Sequence, residues 1–122
     1  VDEKFNELNK IITQIHINFI IAFIKYTINR PRPKQLDSSI NIITSTTSFT
    51  PAYPSGHALQ AYYLAYKLSQ KYPDKKELLY SKAKQCDDVR VKGGHHYPSD
   101  GEFARKIVDY IEMFNEKFNT SL

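Results

Sequence analysis

Phe5, Leu8, Ile12, Ile15, Phe19 and Phe23 recur at three- and four-residue steps through the first quarter of the chain. This is the repeat of one face of an α-helix. It predicts a long amphipathic helix from Asp2 to about Asn29, with Asp2 as its N-cap. The run R-P-R-P at 30–33 stops it, because proline lacks the amide donor and disfavours helical backbone in the residue before it. The same periodicity predicts a second helix from about Ser55 to Lys71, with Ala58, Ala61, Leu64, Ala65 and Leu68 on one face. A third follows from about 74 to 88, with Leu78, Leu79, Ala83 and Cys86 facing inward. K-G-G-H-H-Y-P at 92–98 reads as a turn. A last helix starts near Ser99, where Ser99 and Glu102 have capping-box spacing, and continues through Phe103, Ile107, Ile111, Phe114 and Phe118. The sum is an all-α, compact bundle of four to five helices in one domain over 1–122.

Between the first two helices, residues 34–53 carry no helical repeat and are rich in Ser and Thr. A connection of that length without structure of its own is often functional. Its I-N-I-I segment (40–43) has the makings of a short strand.

The hydrophobic share of 41% and charged share of 25% are those of a soluble globular domain. The longest apolar run, Ile17 to Ile24, is broken by Asn18 and is too short to span a bilayer. A single Cys86 forms no internal disulfide, and no Cys/His cluster has metal-ligand spacing. With no secretory leader in view, a cytoplasmic setting is expected. The start at Val1 keeps a secreted or periplasmic one open if a leader was removed. The net charge of +4 fits attraction to small anions. Its lysines are dispersed and no nucleic-acid motif appears, so nucleic acid is not expected as a partner.

Three segments at helix edges carry the titratable chemistry: K-Y-T-I-N-R-P-R-P with Lys25 and Arg32, P-S-G-H at 54–57, and R-V-K-G-G-H-H-Y-P-S-D with Arg90, His96 and Asp100. Singly, each has an ordinary structural explanation. Lys25 suits a helix C-terminus and Asp100 a first turn. Ser55 suits an N-cap. P-S-G-H, however, puts a histidine at the mouth of a helix, whose unpaired N–H groups and positive dipole end favour an anion.

Taken together in chain order, Lys25-x6-Arg32-Pro33, Pro54-Ser55-Gly56-His57 and Arg90-x5-His96-x3-Asp100 resemble the three motifs of the type 2 phosphatidic acid phosphatase and vanadium haloperoxidase superfamily. The one departure is Val89, where the family has a serine. The resemblance implies a helical bundle with the active site at helix ends and a metal-independent phosphatase. It further implies phosphate binding by Lys25, Arg32, Ser55, Gly56 and Arg90. His96 would be the nucleophile, forming a phosphohistidine, with Asp100 fixing its tautomer and His57 as acid and base. That division of labour suits phosphoryl transfer, which needs its equatorial oxygens neutralised and an in-line nucleophile.

Within the resemblance, the substrate is a phosphomonoester, a lipid phosphate or a pyrophosphate, and no cofactor is needed. A vanadium-dependent haloperoxidase, with vanadate in the same pocket, is the nearest alternative, followed by a non-catalytic phosphate-binding module. His95 is expected to be a turn residue or a substrate-edge contact, and only His96 has four-residue spacing to Asp100. His16 is expected to be structural and Tyr62, Tyr63 and Tyr66 to pack; Tyr53 and Tyr97, which flank the motifs, are candidates to line the pocket. Asp87 and Asp88 are set down to a solvated helix end near Arg90. Homo-oligomerisation is left open by so small a bundle.

Overall fold

A computed structural model describes residues 2–12, 15–42, 50–120 and 122. Among the described residues the chain is helical, without a strand: α1 (Asp2–Ile12), α2 (Ile15–Ile28), α3 (Pro33–Leu36), α4 (Gly56–Lys71), α5 (Lys76–Lys92) and α6 (Pro98–Phe118). No helix among these residues is long and apolar enough to cross a membrane.

α4 is the hub, packing against α1, α2, α5 and α6. Its apolar residues surround more of the helix than the expected single stripe. Ala58, Leu59, Tyr62, Tyr63, Ala65, Tyr66 and Ser69 are all buried. Burying an aliphatic or aromatic side chain of this size contributes about 1.5–3 kcal/mol, so Leu59, Tyr63 and Tyr66 anchor the core. The tyrosines pack as expected. The Tyr66 hydroxyl also keeps polar company inside, accepting hydrogen bonds from Asn115 Nδ2 at 2.9 Å and Gln70 Nε2 at 3.0 Å.

Two of the expected faces are wrong. Phe19 and Phe23 lie on the surface, 68% and 64% exposed, while Ile17 and Ile21 enter the core. The segment Ile15–Ile28 is apolar nearly all round, so periodicity could not choose a face there; contact with α4 does. On α5, Leu78 and Cys86 point outward. Tyr80, Ala83 and Asp87 form the inward line instead. Phe114 and Phe118 extend α6 but face outward. The side chains of Phe5, Ile12, Ile15 and His16, and the stretch 43–49, lie outside the described residues.

Several boundaries also shift. α1 includes Asp2 rather than starting after it. Residues 34–36, read as part of the irregular connection, instead join Pro33 in one helical turn. α6 begins at Pro98, with Tyr97 before it and Asp100 as the third helical residue. The carboxylate that reaches back to the cap is therefore Asp100, accepting from Tyr97 N at 2.9 Å, not Glu102. Proline at the first helical position needs no partner for a missing N–H, which sets this register.

Four helix ends are drawn together by backbone contacts between distant segments. Asn29, left-handed at φ 53°, closes α2 by donating its N–H to Lys25 O at 2.7 Å. Ala52 N donates to Arg30 O at 2.9 Å, and Ser55 N donates to Asp100 O at 3.1 Å. The exit of α5 turns at Gly94, whose φ of 78° and close approach to Asn41 O leave no room for a side chain.

Candidate active site

The converging ends enclose a cavity of about 380 Å³ lined by Lys25, Arg32, Gly56, His57 and His96. Asn18, Ile21, Ala22, Tyr26, Thr50 and Gln60 complete its wall. The size is that of a small-ligand pocket. Five of the eight expected site residues thus share one space.

His96 is buried on the segment between α5 and α6, and its ring is held at both nitrogens. Nδ1 lies 3.0 Å from Asp100 Oδ2, and Nε2 lies 2.9 Å from NH1 of Arg32. A guanidinium has donors only. Nε2 must therefore accept, and Nδ1 carries the proton that it donates to Asp100. Burial, with the nearby positive charge of Arg32, lowers the His96 pKa to about 4, against the opposing pull of Asp100. The ring is neutral near pH 7, with its lone pair on the atom beside the cavity.

Arg32 is fixed largely by Thr50, within the irregular connection. Its Nε donates to Thr50 O at 2.8 Å, NH2 to Thr50 Oγ1 at 3.0 Å, and NH1 also to His95 O at 3.1 Å. Lys25, near the end of α2, donates from Nζ to Pro51 O at 2.6 Å. Burial, then the charge of Arg32, lowers its pKa to about 8. Cations crowded in this way repel one another, and a bound anion would relieve that repulsion.

His57 stands at the open rim in the first turn of α4. Partial burial of the ring, followed by the charges of Arg90, Arg32 and Lys25, lowers its pKa below 6.5. Arg90, near the end of α5, therefore projects its field onto the same centre, although it does not line the cavity. Ser55 is fully buried behind the wall, where its Oγ accepts from Ala58 N at 3.2 Å as the N-cap of α4. Gly56 faces the cavity, and a Cβ there would meet Ile21 and Lys25 Cε. Asp100 sits wholly buried behind His96.

Other expectations sort differently. His95 is a buried turn residue, as expected, with its N–H donating to Arg90 O at 3.1 Å. Tyr53 and Tyr97 do not line the cavity; they bracket the guanidinium of Arg30, at 4.3 and 5.4 Å from the ring centroids. Asp88 pairs with Lys84 at 3.1 Å, whereas Asp87 is buried against Gly101. The exposed Val89 contributes nothing to the pocket.

Two contributors had no reading of their own in the sequence. Thr50 grips Arg32 through backbone and side chain. Arg30 reaches Asp100 Oδ1 at 2.8 Å and Ser99 Oγ at 2.7 Å. The doubled Arg-Pro pair in R-P-R-P was the available signal for Arg30. Thr50 had none, because one threonine among several in 44–50 is not distinguishable by pattern.

The family model described as the PAP2 superfamily matches residues 8–86. The match takes in the segments of Lys25, Arg32 and 54–57 and ends before Arg90. His96 and Asp100 join the matched residues through the contacts just described. No curated protein matches the chain.

Proposed function

This chain belongs to the PAP2 superfamily, and from that membership we propose that it is a metal-independent phosphatase that hydrolyses phosphomonoesters through a phosphohistidine at residue 96. Lipid phosphates and pyrophosphates present the same terminal group and fall within the proposal. The reading extends over 1–122 as one catalytic domain.

One observation carries it. The His96 ring is pinned between Asp100 and Arg32 in the tautomer that leaves Nε2 unprotonated next to the cavity. A structural histidine needs one such partner, whereas a nucleophile needs an unprotonated nitrogen, a fixed aim and a group to absorb the charge it acquires.

In the proposed sequence, the phosphoryl group is held by Lys25 and Arg32 with the first N–H groups of α4, and Arg90 adds its charge from outside the cavity wall. His96 Nε2 forms a bond to phosphorus as the bond to the leaving oxygen breaks. Protonated His57 gives its proton to that oxygen. Asp100 stabilises the positive charge on the substituted imidazole through Nδ1–H. His57, now neutral, takes a proton from water; the water oxygen bonds to phosphorus, the P–Nε2 bond breaks, and phosphate leaves. Proton transfer of this kind contributes roughly 100- to 10,000-fold. Preorganised donors around the developing charge contribute on the order of 100- to 1,000-fold each.

The test is to trap the intermediate. A His57→Asn variant incubated with a radiolabelled aryl phosphate should accumulate protein-bound label that is labile in acid and stable in base, as a phosphoramidate is. The double variant with His96→Ala should retain none. Label that persists without His96 assigns the nucleophile elsewhere.

A further inference from the structure

The carboxylate of Asp100 divides its two oxygens. Oδ2 accepts from His96 Nδ1 at 3.0 Å and from Tyr97 N at 2.9 Å. Oδ1 accepts from Arg30 NH1 at 2.8 Å, and the same NH1 donates to Ser99 Oγ at 2.7 Å. Asp100 is 0% exposed, while the Arg30 side chain is 32% exposed. A carboxylate so fully removed from water is costly unless it is paired and its lone pairs are filled.

Arg30 is itself held in place. Its guanidinium lies over the Tyr53 ring at 4.3 Å and near the Tyr97 ring at 5.4 Å. Tyr53 in turn stacks on Phe103 of α6, with centroids 4.5 Å apart and planes at 15°. The backbone adds a further tie, with Ala52 N donating to Arg30 O. Arg30 nevertheless does not line the cavity. It borders a separate surface groove with Pro31, Leu36, Tyr97 and Ser99.

The geometry points to Arg30 as a positioning residue for the reaction, acting on His96 through Asp100 and without touching the anion. A charge-assisted bond to Oδ1 sets the rotation of the carboxylate, and that rotation keeps Oδ2 in line with Nδ1. An imidazole aimed in this way holds its proton on Nδ1 and its electron pair on Nε2. The relation is that of an outer partner that orients an inner group. Arg30 and Arg32, two residues apart, thus serve opposite ends of one ring: Arg32 meets Nε2 directly, and Arg30 governs Nδ1 through the acid.

This inference rests on the proposed phosphatase reading for its kinetic readout, and a second readout stands apart from it. Arg30→Ala should lower kcat by about 10- to 100-fold while KM for an aryl phosphate stays within a small factor. Arg30→Lys should recover part of the loss, since it restores charge but not the planar fork. Added guanidinium at sub-denaturing concentration should rescue the alanine variant, and methylurea should not. A rise in KM with kcat unchanged, or no loss at all, overturns the inference.

The second readout is nitrogen and proton NMR of ring-labelled His96. The unaltered protein should show a protected Nδ1–H tautomer. In Arg30→Ala that proton should exchange with water at least about tenfold faster, with far-ultraviolet circular dichroism unchanged. Should the alanine variant fail to fold, Arg30→Lys carries both measurements, and wild-type values for kcat and Nδ1–H exchange in a folded lysine variant overturn the inference. If the wild-type protein turns over no phosphoester, the phosphatase reading fails, while the exchange measurement still decides the link from Arg30 to His96.

Discussion

NH1 of Arg32 and Nε2 of His96 lie 2.9 Å apart, so the atom proposed to attack phosphorus is already the acceptor of a cation's hydrogen bond. An incoming phosphoryl group would take over both partners, drawing the guanidinium onto its oxygens and the ring nitrogen onto phosphorus. Thr50 keeps Arg32 in reach during that exchange, through bonds of 2.8 and 3.0 Å that do not involve the ring.

Arg32→Lys should therefore be far from conservative. Lysine keeps the charge but cannot span Thr50 and the ring at once. Steady-state kinetics should show kcat/KM lower by on the order of 100-fold or more. Activity within a few-fold of the parent would mean that charge alone suffices.

The rate should peak in acid. Attack requires neutral His96, whose pKa is lowered to about 4 by burial. Leaving-group protonation requires cationic His57, whose pKa lies below 6.5 because of burial and the neighbouring cations. kcat/KM reports the free enzyme, so its profile should rise near pH 4 and fall below pH 6.5. A profile still climbing at neutral pH would remove His57 as the acid.

Folding stability should carry the mark of the same buried ring. The folded pKa of His96 is below its unfolded value, so between about 4 and 6.5 the unfolded chain binds more protons. Stability is then fully present above pH 6.5 and drains as the pH falls towards 4, at no more than about 1.4 kcal/mol per pH unit from this group. Denaturant titrations at several pH values should show the slope, and His96→Asn should flatten it. An unchanged slope would put the acid sensitivity elsewhere.

Anion affinity should have its own alkaline limit. Lys25 loses its proton near pH 8 in the ligand-free protein, because burial and Arg32 disfavour its charge. Calorimetric titration with inorganic phosphate should give weaker binding as the pH is raised through about 8. Lys25→Arg should move that limb upward, and an identical limb in the variant would exclude Lys25 as its source.

Gly101→Ala should destabilise the fold, because a Cβ at that position would overlap the carboxylate of Asp87 across the α5–α6 contact. Overpacking of this kind costs about 1–3 kcal/mol. Thermal melting should show the loss, and adding Asp87→Ala should restore most of it. Purely additive effects in that double variant would deny the contact.

The helical class and the approximate order of elements were readable from three- and four-residue periodicity, since burial of one face imposes that repeat on any sequence. The same repeat failed for Phe19, Phe23, Leu78 and Cys86. The Ile15–Ile28 segment is apolar nearly all round, and α5 offers few apolar residues to choose among. Where several faces are equally apolar, or none is, the neighbour decides which one is buried.

The site divides in the same way. Lys25, Arg32, Pro54–His57, Arg90, His96 and Asp100 announce their chemistry by residue type and spacing, because each set lies at a helix end or across the short link between two helices, where few residues separate its members. Arg30 and Thr50 did not announce theirs. The value of Arg30 lies in Asp100, 70 residues away, and that of Thr50 in Arg32, 18 residues away. Sequence by itself determined which groups are present and which helix ends bear them. Only the packing of α2, α5 and α6 around α4 decided which of those groups meet, since a hydrogen bond depends on separation in space, and spacing along the chain sets that separation only over a turn or two.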